Sequence, residues 1–138
     1  MQNRNYEPAL MAGAINQTNV VPSAVNATAT LTSAQVIGQY ITCTSTSAVT
    51  MTLPTGTLLG AAGGFGQGDS FDLFIDNTTS SGSGVVTLAA STNAILSDAA
   101  NTTAGSFGQL TVAVGATGIG RFTITFSSAT AYVVTRTA

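Results

Sequence analysis

Three of the five acidic residues of this chain fall within one stretch, GDSFDLFIDN from Gly68 to Asn77, as Asp69, Asp72 and Asp76. Clustered carboxylates of this kind suit a divalent-cation cage or the acid–base pair of a glycosidase; otherwise they simply line the solvent side of a strand. Spacing decides among these. Phe71, Leu73 and Ile75 take one parity and Ser70, Asp72, Phe74 and Asp76 the other, which is the period of a strand. On a strand Asp72 and Asp76 share a face but lie about 13 Å apart, at roughly 3.3 Å per residue. One ion with ligands at about 2.3–2.6 Å cannot bridge that gap. It also exceeds the roughly 5–9.5 Å separation of glycosidase carboxylate pairs. Asp69 takes the opposite face beside a glycine, where a carboxylate orders a turn. A helix would bring positions 72 and 76 together, but a Gly-led, Phe/Ile-rich run ending in Asn-Thr-Thr is a poor helix. The stretch reads as a core strand whose acids face solvent, as edge charges that stop a sticky strand from mispairing.

The residue inventory narrows the chemistry further. The chain has no histidine, lysine or tryptophan. A Ser–His triad, a Cys–His pair, a histidine metal ligand, a Schiff-base lysine and a P-loop lysine are therefore all missing. GGFGQG and GATGIG do not fit the dinucleotide-binding glycine pattern. Cys43 is the only cysteine, so no intrachain disulfide forms, and within ITCTST it reads as a small buried hydrophobe. The expectation is a non-enzyme with no metal and no cofactor.

Charge excludes other partners. Charged residues make up 6 % of the chain, against about 25 % in an ordinary soluble domain. Arg4, Arg121 and Arg136 are too sparse to neutralise a phosphate backbone, which argues against nucleic acid. No apolar run approaches the roughly 18 residues of a membrane span. A surface of hydroxyls, amides and small apolar groups carries little repulsion between copies, which suits a protein packed against others. The sequons at Asn16, Asn26, Asn77 and Asn101 are what a chain this rich in Asn and Thr produces by chance.

These residues must be positioned by short strands. Residues 1–23 show neither the helical nor the strand period and read as an extended N-terminal arm. Residues 24–138 form the domain. Its alternating sets are Val25, Ala27, Ala29, Leu31; Ile41, Cys43; Val49, Met51, Leu53; Phe71, Leu73, Ile75; Val86, Leu88, Ala90; Leu110, Val112, Val114; Phe122, Ile124, Phe126; and Tyr132, Val134. LTSAQVIG (31–38) makes a helical turn capped by Thr32 or Ser33, and PTGTLLGAAGG (54–64) a short helix stopped by glycine. Neither is long enough for a strand–helix–strand crossover, which disfavours parallel strands. NTTSSGS (77–83) reads as a flexible loop and SSAT (127–130) as a hairpin loop. The fold class expected is all-β, an antiparallel β-sandwich or jelly roll of about eight short strands.

Two surfaces follow as candidate contacts. In the arm, Tyr6, Leu10 and Met11 are apolar anchors, with Arg4 and Glu7 giving orientation. On the domain, Tyr40, Phe74 and Tyr132 are the aromatics assigned to outward positions, suited to a sugar or to a subunit interface.

LTSAQVIGQYITCTSTSAVTMTLPTG, then GDSFDLFIDNTTSSGSGVVTLAAS, then a closing strand AYVVTRTA, resembles small structural proteins of tailed bacteriophages. These include capsid decoration (cement) proteins and the domains of head fibres and tail appendages. The resemblance covers about residues 30–138 and not the arm. It implies a virion protein on the outer capsid surface, a homotrimer that binds the major capsid protein and clamps neighbouring capsomers. A host-recognition, glycan-binding fibre domain is the first alternative. An acid-type glycan hydrolase using Asp72 and Asp76 is the second.

Overall fold

The computed structural model describes residues 20–96 and 111–138. The first strands are β1 (Ser23–Ala24) and β2 (Ala29–Thr30). Helix α1 (Ser33–Ile37) leads to β3 (Tyr40–Thr42) and β4 (Val49–Thr52); helix α2 (Gly56–Gly63) leads to β5 (Ser70–Asp76) and β6 (Val86–Ala89). Then come β7 (Ala94–Leu96), β8 (Thr111–Val112), a 3-10 turn at Gly115–Thr117, β9 (Ile119–Ser128) and β10 (Ala131–Arg136). Ser23, the last residue assigned to the arm, already pairs with Ile41.

The strands form two sheets, ordered β1-β3-β5-β9-β10-β7 and β2-β4-β6-β8. The expected all-β antiparallel sandwich or jelly roll is overturned: this is a mixed α/β fold in which parallel pairing predominates. β1–β3, β3–β5, β2–β4, β4–β6 and β10–β7 run parallel. Among the described strands, β5–β9, β9–β10 and β6–β8 run antiparallel. The reason lies in how the crossovers are made. Parallel neighbours need a connection of about a dozen residues or more, and here the opposite sheet supplies most of it. The chain lays one strand in the larger sheet, one in the smaller, and returns through a short helix. Three such passes, β1–β2, β3–β4 and β5–β6, stack Ile41 between Ser23 and Ile75 and Met51 between Ala29 and Leu88. The helices need only turn the chain back.

Both helices start where a threonine side chain satisfies free backbone donors. Thr32 and Gln35 form a reciprocal capping box, and Thr55 Oγ1 accepts from Leu58 N at 3.2 Å. Gly64, at φ 65°, ends α2 in the left-handed conformation. The inward residues of both sheets share one core with Val36 of α1 and Leu59 of α2. Its interior is filled by Met51, Leu73, Ile75, Leu88, Phe122, Ile124 and Phe126, each at most 1 % exposed. Cys43 belongs to this core. Ala27, Ala29 and Ala90 are exposed instead, because β2 is too short to hold the alternation and Ala90 lies beyond β6. Leu110 lies outside the described residues.

The stretch read as a flexible loop, 77–83, is pinned. Asn77 is fully buried at the end of β5, where its Nδ2 donates to the carbonyls of Gly84 (2.9 Å), Val112 (3.1 Å) and Ala113 (2.8 Å). Its Oδ1 accepts from the Ser80 hydroxyl, which also donates to Cys43 O. One side chain thus ties the larger sheet to β8 of the smaller.

Candidate functional site

The outward parity of the larger sheet builds its exposed face row by row. Registered pairing places Tyr40 beside Phe74 and Phe74 beside Arg121, a row crossing β3, β5 and β9. The Tyr40 and Phe74 rings lie 6.4 Å apart and 28° from parallel, and the Arg121 guanidinium sits 6.0 Å from the Phe74 centroid. Flanking rows carry Thr42, Asp76 and Ile119 on one side and Asp72, Thr123 and Thr135 on the other. Tyr40 and Phe74 are half-buried, Arg121 and Ile119 exposed.

Two of the three aspartates brace this face. Asp72 Oδ2 accepts from Arg121 Nη2 at 2.7 Å and Nε at 3.0 Å, and Oδ1 from Thr123 Oγ1 at 2.7 Å. Asp76 Oδ1 accepts from the Thr78 hydroxyl (2.6 Å) and amide (3.0 Å), and Oδ2 from the Tyr40 hydroxyl at 2.8 Å. Asp69, on the opposite parity, orders the preceding turn by accepting from Gly66 N at 2.8 Å. The reading of these acids as edge guards is corrected, because β5 lies inside the sheet with β3 and β9 on its two sides. Asp72 and Asp76 hold neighbouring strands in register.

The electrostatics follow from these bonds. The Thr123 hydroxyl, and next the Arg121 guanidinium, hold the Asp72 carboxyl below the ordinary range. The Thr78 hydroxyl and amide do the same for Asp76, and the Tyr40 phenol is raised by donating to that carboxylate. A general acid needs a carboxyl pushed the other way. Among the described residues no three His, Cys, Asp or Glu side chains are grouped to hold a metal ion, and no helix is long and apolar enough to cross a membrane.

Both depressed carboxyls give a testable pH dependence. Their pKa values are lower in the folded chain than the ordinary 3.8. Their stabilisation is therefore complete above that value and is lost as pH falls through the folded values. Thermal melts taken from about pH 6 down to about pH 2 should show Tm falling below about pH 4. Asp72→Asn should flatten that fall. An unchanged slope in the variant would assign the acid loss to other groups.

Of the outward aromatics, Tyr132 is a correction. It is fully buried, packs against Phe126 at 5.3 Å and donates its hydroxyl to Pro54 O at 2.6 Å. Its register partner Phe126 faces the core, so Tyr132 must do so as well, and burial raises its phenol pKa. Tyr132→Ala would report on core packing rather than on a surface ligand. Arg4, Tyr6, Glu7, Leu10 and Met11 lie outside the described residues. Arg121 was missed as a member of the face, since its place beside Phe74 depends on a pairing 47 positions apart in the chain.

The chain is thus defined as a mixed two-sheet domain with a braced, aromatic-centred outer face. Compared with protein-family models, with curated proteins and with solved structures, it has no match.

Proposed function

We propose that this chain is a structural protein of a tailed-phage virion, a capsid decoration protein that binds the major capsid protein on the outer surface as a homotrimer. The observation that carries this reading is where the phage-like segments fall. LTSAQVIGQYITCTSTSAVTMTLPTG spans α1, β3 and β4, and GDSFDLFIDNTTSSGSGVVTLAAS spans β5 and β6. The likeness therefore follows two whole passes of the fold, not scattered strands. Supporting it are the scarcity of charge and the absence of histidine and lysine. The depressed carboxyls of the sheet face act as struts rather than as acids. The role is assembly, not catalysis: several weak contacts to adjacent capsomers add through multivalency. The residues 1–23 arm supplies one such contact and the sheet face another.

Quantitative protein analysis of purified virions tests the assignment. The expected result is a copy number comparable with that of the major capsid protein. A few copies confined to the tail would overturn it.

A further inference from the structure

A cleft of about 360 Å³ opens at the end of the larger sheet, lined by Ile37, Gln39, Gly63, Gly64, Phe65, Asp69, Ser70 and Phe71. It lies between the C-terminal ends of α1 and α2 and the start of β5, and adjoins the Tyr40–Phe74–Arg121 row through Gln39, which precedes Tyr40 and accepts from Phe74 N. Its volume falls in the roughly 300–1,000 Å³ range of small-ligand sites. We infer that this cleft binds a neutral saccharide.

Three observations converge on that ligand class. The first is an aromatic wall. Phe65 and Phe71 stack with centroids 5.1 Å apart and 25° between planes, and Phe65 also packs against Phe126 with centroids 4.8 Å apart. These core-anchored rings give the cleft one rigid apolar side, which suits the C–H groups of a pyranose ring.

The second is the position of Gln39. Among the described residues it is one of two non-glycine residues at positive φ, at 68°, the left-handed conformation in which a helix commonly ends, directly after the α1 C-cap Gly38. Its backbone is fixed from two sides: Gln39 N donates to Val36 O at 3.1 Å, and Gln39 O accepts from Phe74 N at 2.8 Å. Its side-chain amide makes no hydrogen bond among the described residues. An unengaged amide on a backbone fixed beside a cleft can both donate to and accept from a ligand.

The third is the balance of donors and acceptors. Asp69 uses one carboxylate oxygen on Gly66 N and keeps Oδ1 unengaged among the described residues. Ser70 shares a 3.0 Å hydroxyl contact with Thr125 and retains further capacity. The C-terminal end of α2 adds partial negative charge at the rim. Among the described residues no arginine lines the cleft, and the chain has no lysine. An acceptor-rich, cation-free site with an aromatic wall takes hydroxyl donors and rejects anions, so neutral sugars fit and sialic or phosphorylated sugars do not.

This inference does not rest on the virion assignment, since particle occupancy and sugar binding are measured separately and fail separately. The test is a titration of the isotopically labelled full chain, followed by NMR. The ligands are neutral hexoses, N-acetylhexosamines and their disaccharides, with N-acetylneuraminic acid as the anionic comparison. The expected result is saturable shifts at Gln39, Gly63, Gly64, Ser70 and Phe71 with at least one neutral sugar, at a Kd of about 1 mM, and none with the anion. Gln39→Gly relieves the positive φ and Asp69→Asn keeps an acceptor for Gly66. Both should therefore stay folded yet weaken binding by about tenfold. The inference is overturned if no neutral sugar shifts these signals, if the shifts map to the Tyr40–Phe74 row, or if both variants bind as tightly as the parent. It is equally overturned if the cleft signals move with protein concentration, which would make the occupant a second copy.

Discussion

Replacing Asn77 by Ala should cost the folded chain about 3 kcal/mol or more, because each buried polar group left without a partner costs about 1–3 kcal/mol. Four neighbours lose one when the amide is removed: the carbonyls of Gly84, Val112 and Ala113, and the Ser80 hydroxyl's bond to Oδ1. Ser80 retains Cys43 O, so the carbonyls carry most of the loss. Two N–H hydrogens serve three carbonyls, so at least one is shared. The same crowd of acceptors fixes the amide orientation, since a flipped Asn77 would set its oxygen against all three. A chain of this size should then melt about 6–12 °C lower. Asn77→Asp is the sharper variant: it keeps the shape but replaces two donors with a buried carboxylate facing three carbonyls, and it should be the worse of the two. Ser80→Ala should cost only about 1 kcal/mol. Denaturant unfolding checks all three, and a loss below about 1 kcal/mol for Asn77→Ala would mean that water takes the amide's place.

Asn77 also shows where local reading stops. NTTSSGS has the composition of a surface loop, and nothing within it signals that its first residue joins β5 to carbonyls beside β8, 35 and 36 positions away. Parity, by contrast, is a local property. The alternation at Phe71–Ile75, Phe122–Phe126 and Val49–Leu53 located core residues correctly, with Phe71 only partly buried. It also put Tyr40 and Phe74 on the outward face; the Thr32 cap located α1, and the glycines that stop residues 54–64 located α2. Parity does not say which strand lies alongside or in which direction. The same alternation serves parallel and antiparallel ladders, so Ile41 beside Ile75 and Met51 beside Leu88 were not legible in it. Short helices did not exclude parallel strands, because each crossover here passes through the opposite sheet. Tyr132 shares the parity of buried Val134 and so belongs inside, where Pro54 O, 78 positions back in the chain, accepts its hydroxyl.

The second large effect concerns how α2 seats against the β9–β10 hairpin. Gly60→Ala should destabilise the chain by about 2 kcal/mol or more, in the upper part of the roughly 1–3 kcal/mol range of overpacked sites. A Cβ at Gly60 would fall 1.9 Å from Ala129 O and 3.0 Å from Ala129 C, and one at Gly56 2.2 Å from Thr130 O. These obstacles are backbone atoms of the hairpin turn, so no rotamer change relieves them and the helix has to lift. Lifting α2 pulls Leu59 out of the core it shares with Phe126 and Tyr132. The intrinsic gain of about 1 kcal/mol for Ala over Gly in a helix works against this cost and is already included in the figure. Gly66→Ala is the control: it has no neighbour within 4 Å and no positive φ, so its stability should change by less than about 0.5 kcal/mol. If Gly60→Ala matched that control, the hairpin would be yielding to the helix. In sequence these glycines look like helix stops, and Gly64 is one, but Gly56 and Gly60 lie one turn apart on the face that the turn covers. The close approach of helix and hairpin is what lets a helix of eight residues close the β3–β4 pass over the core.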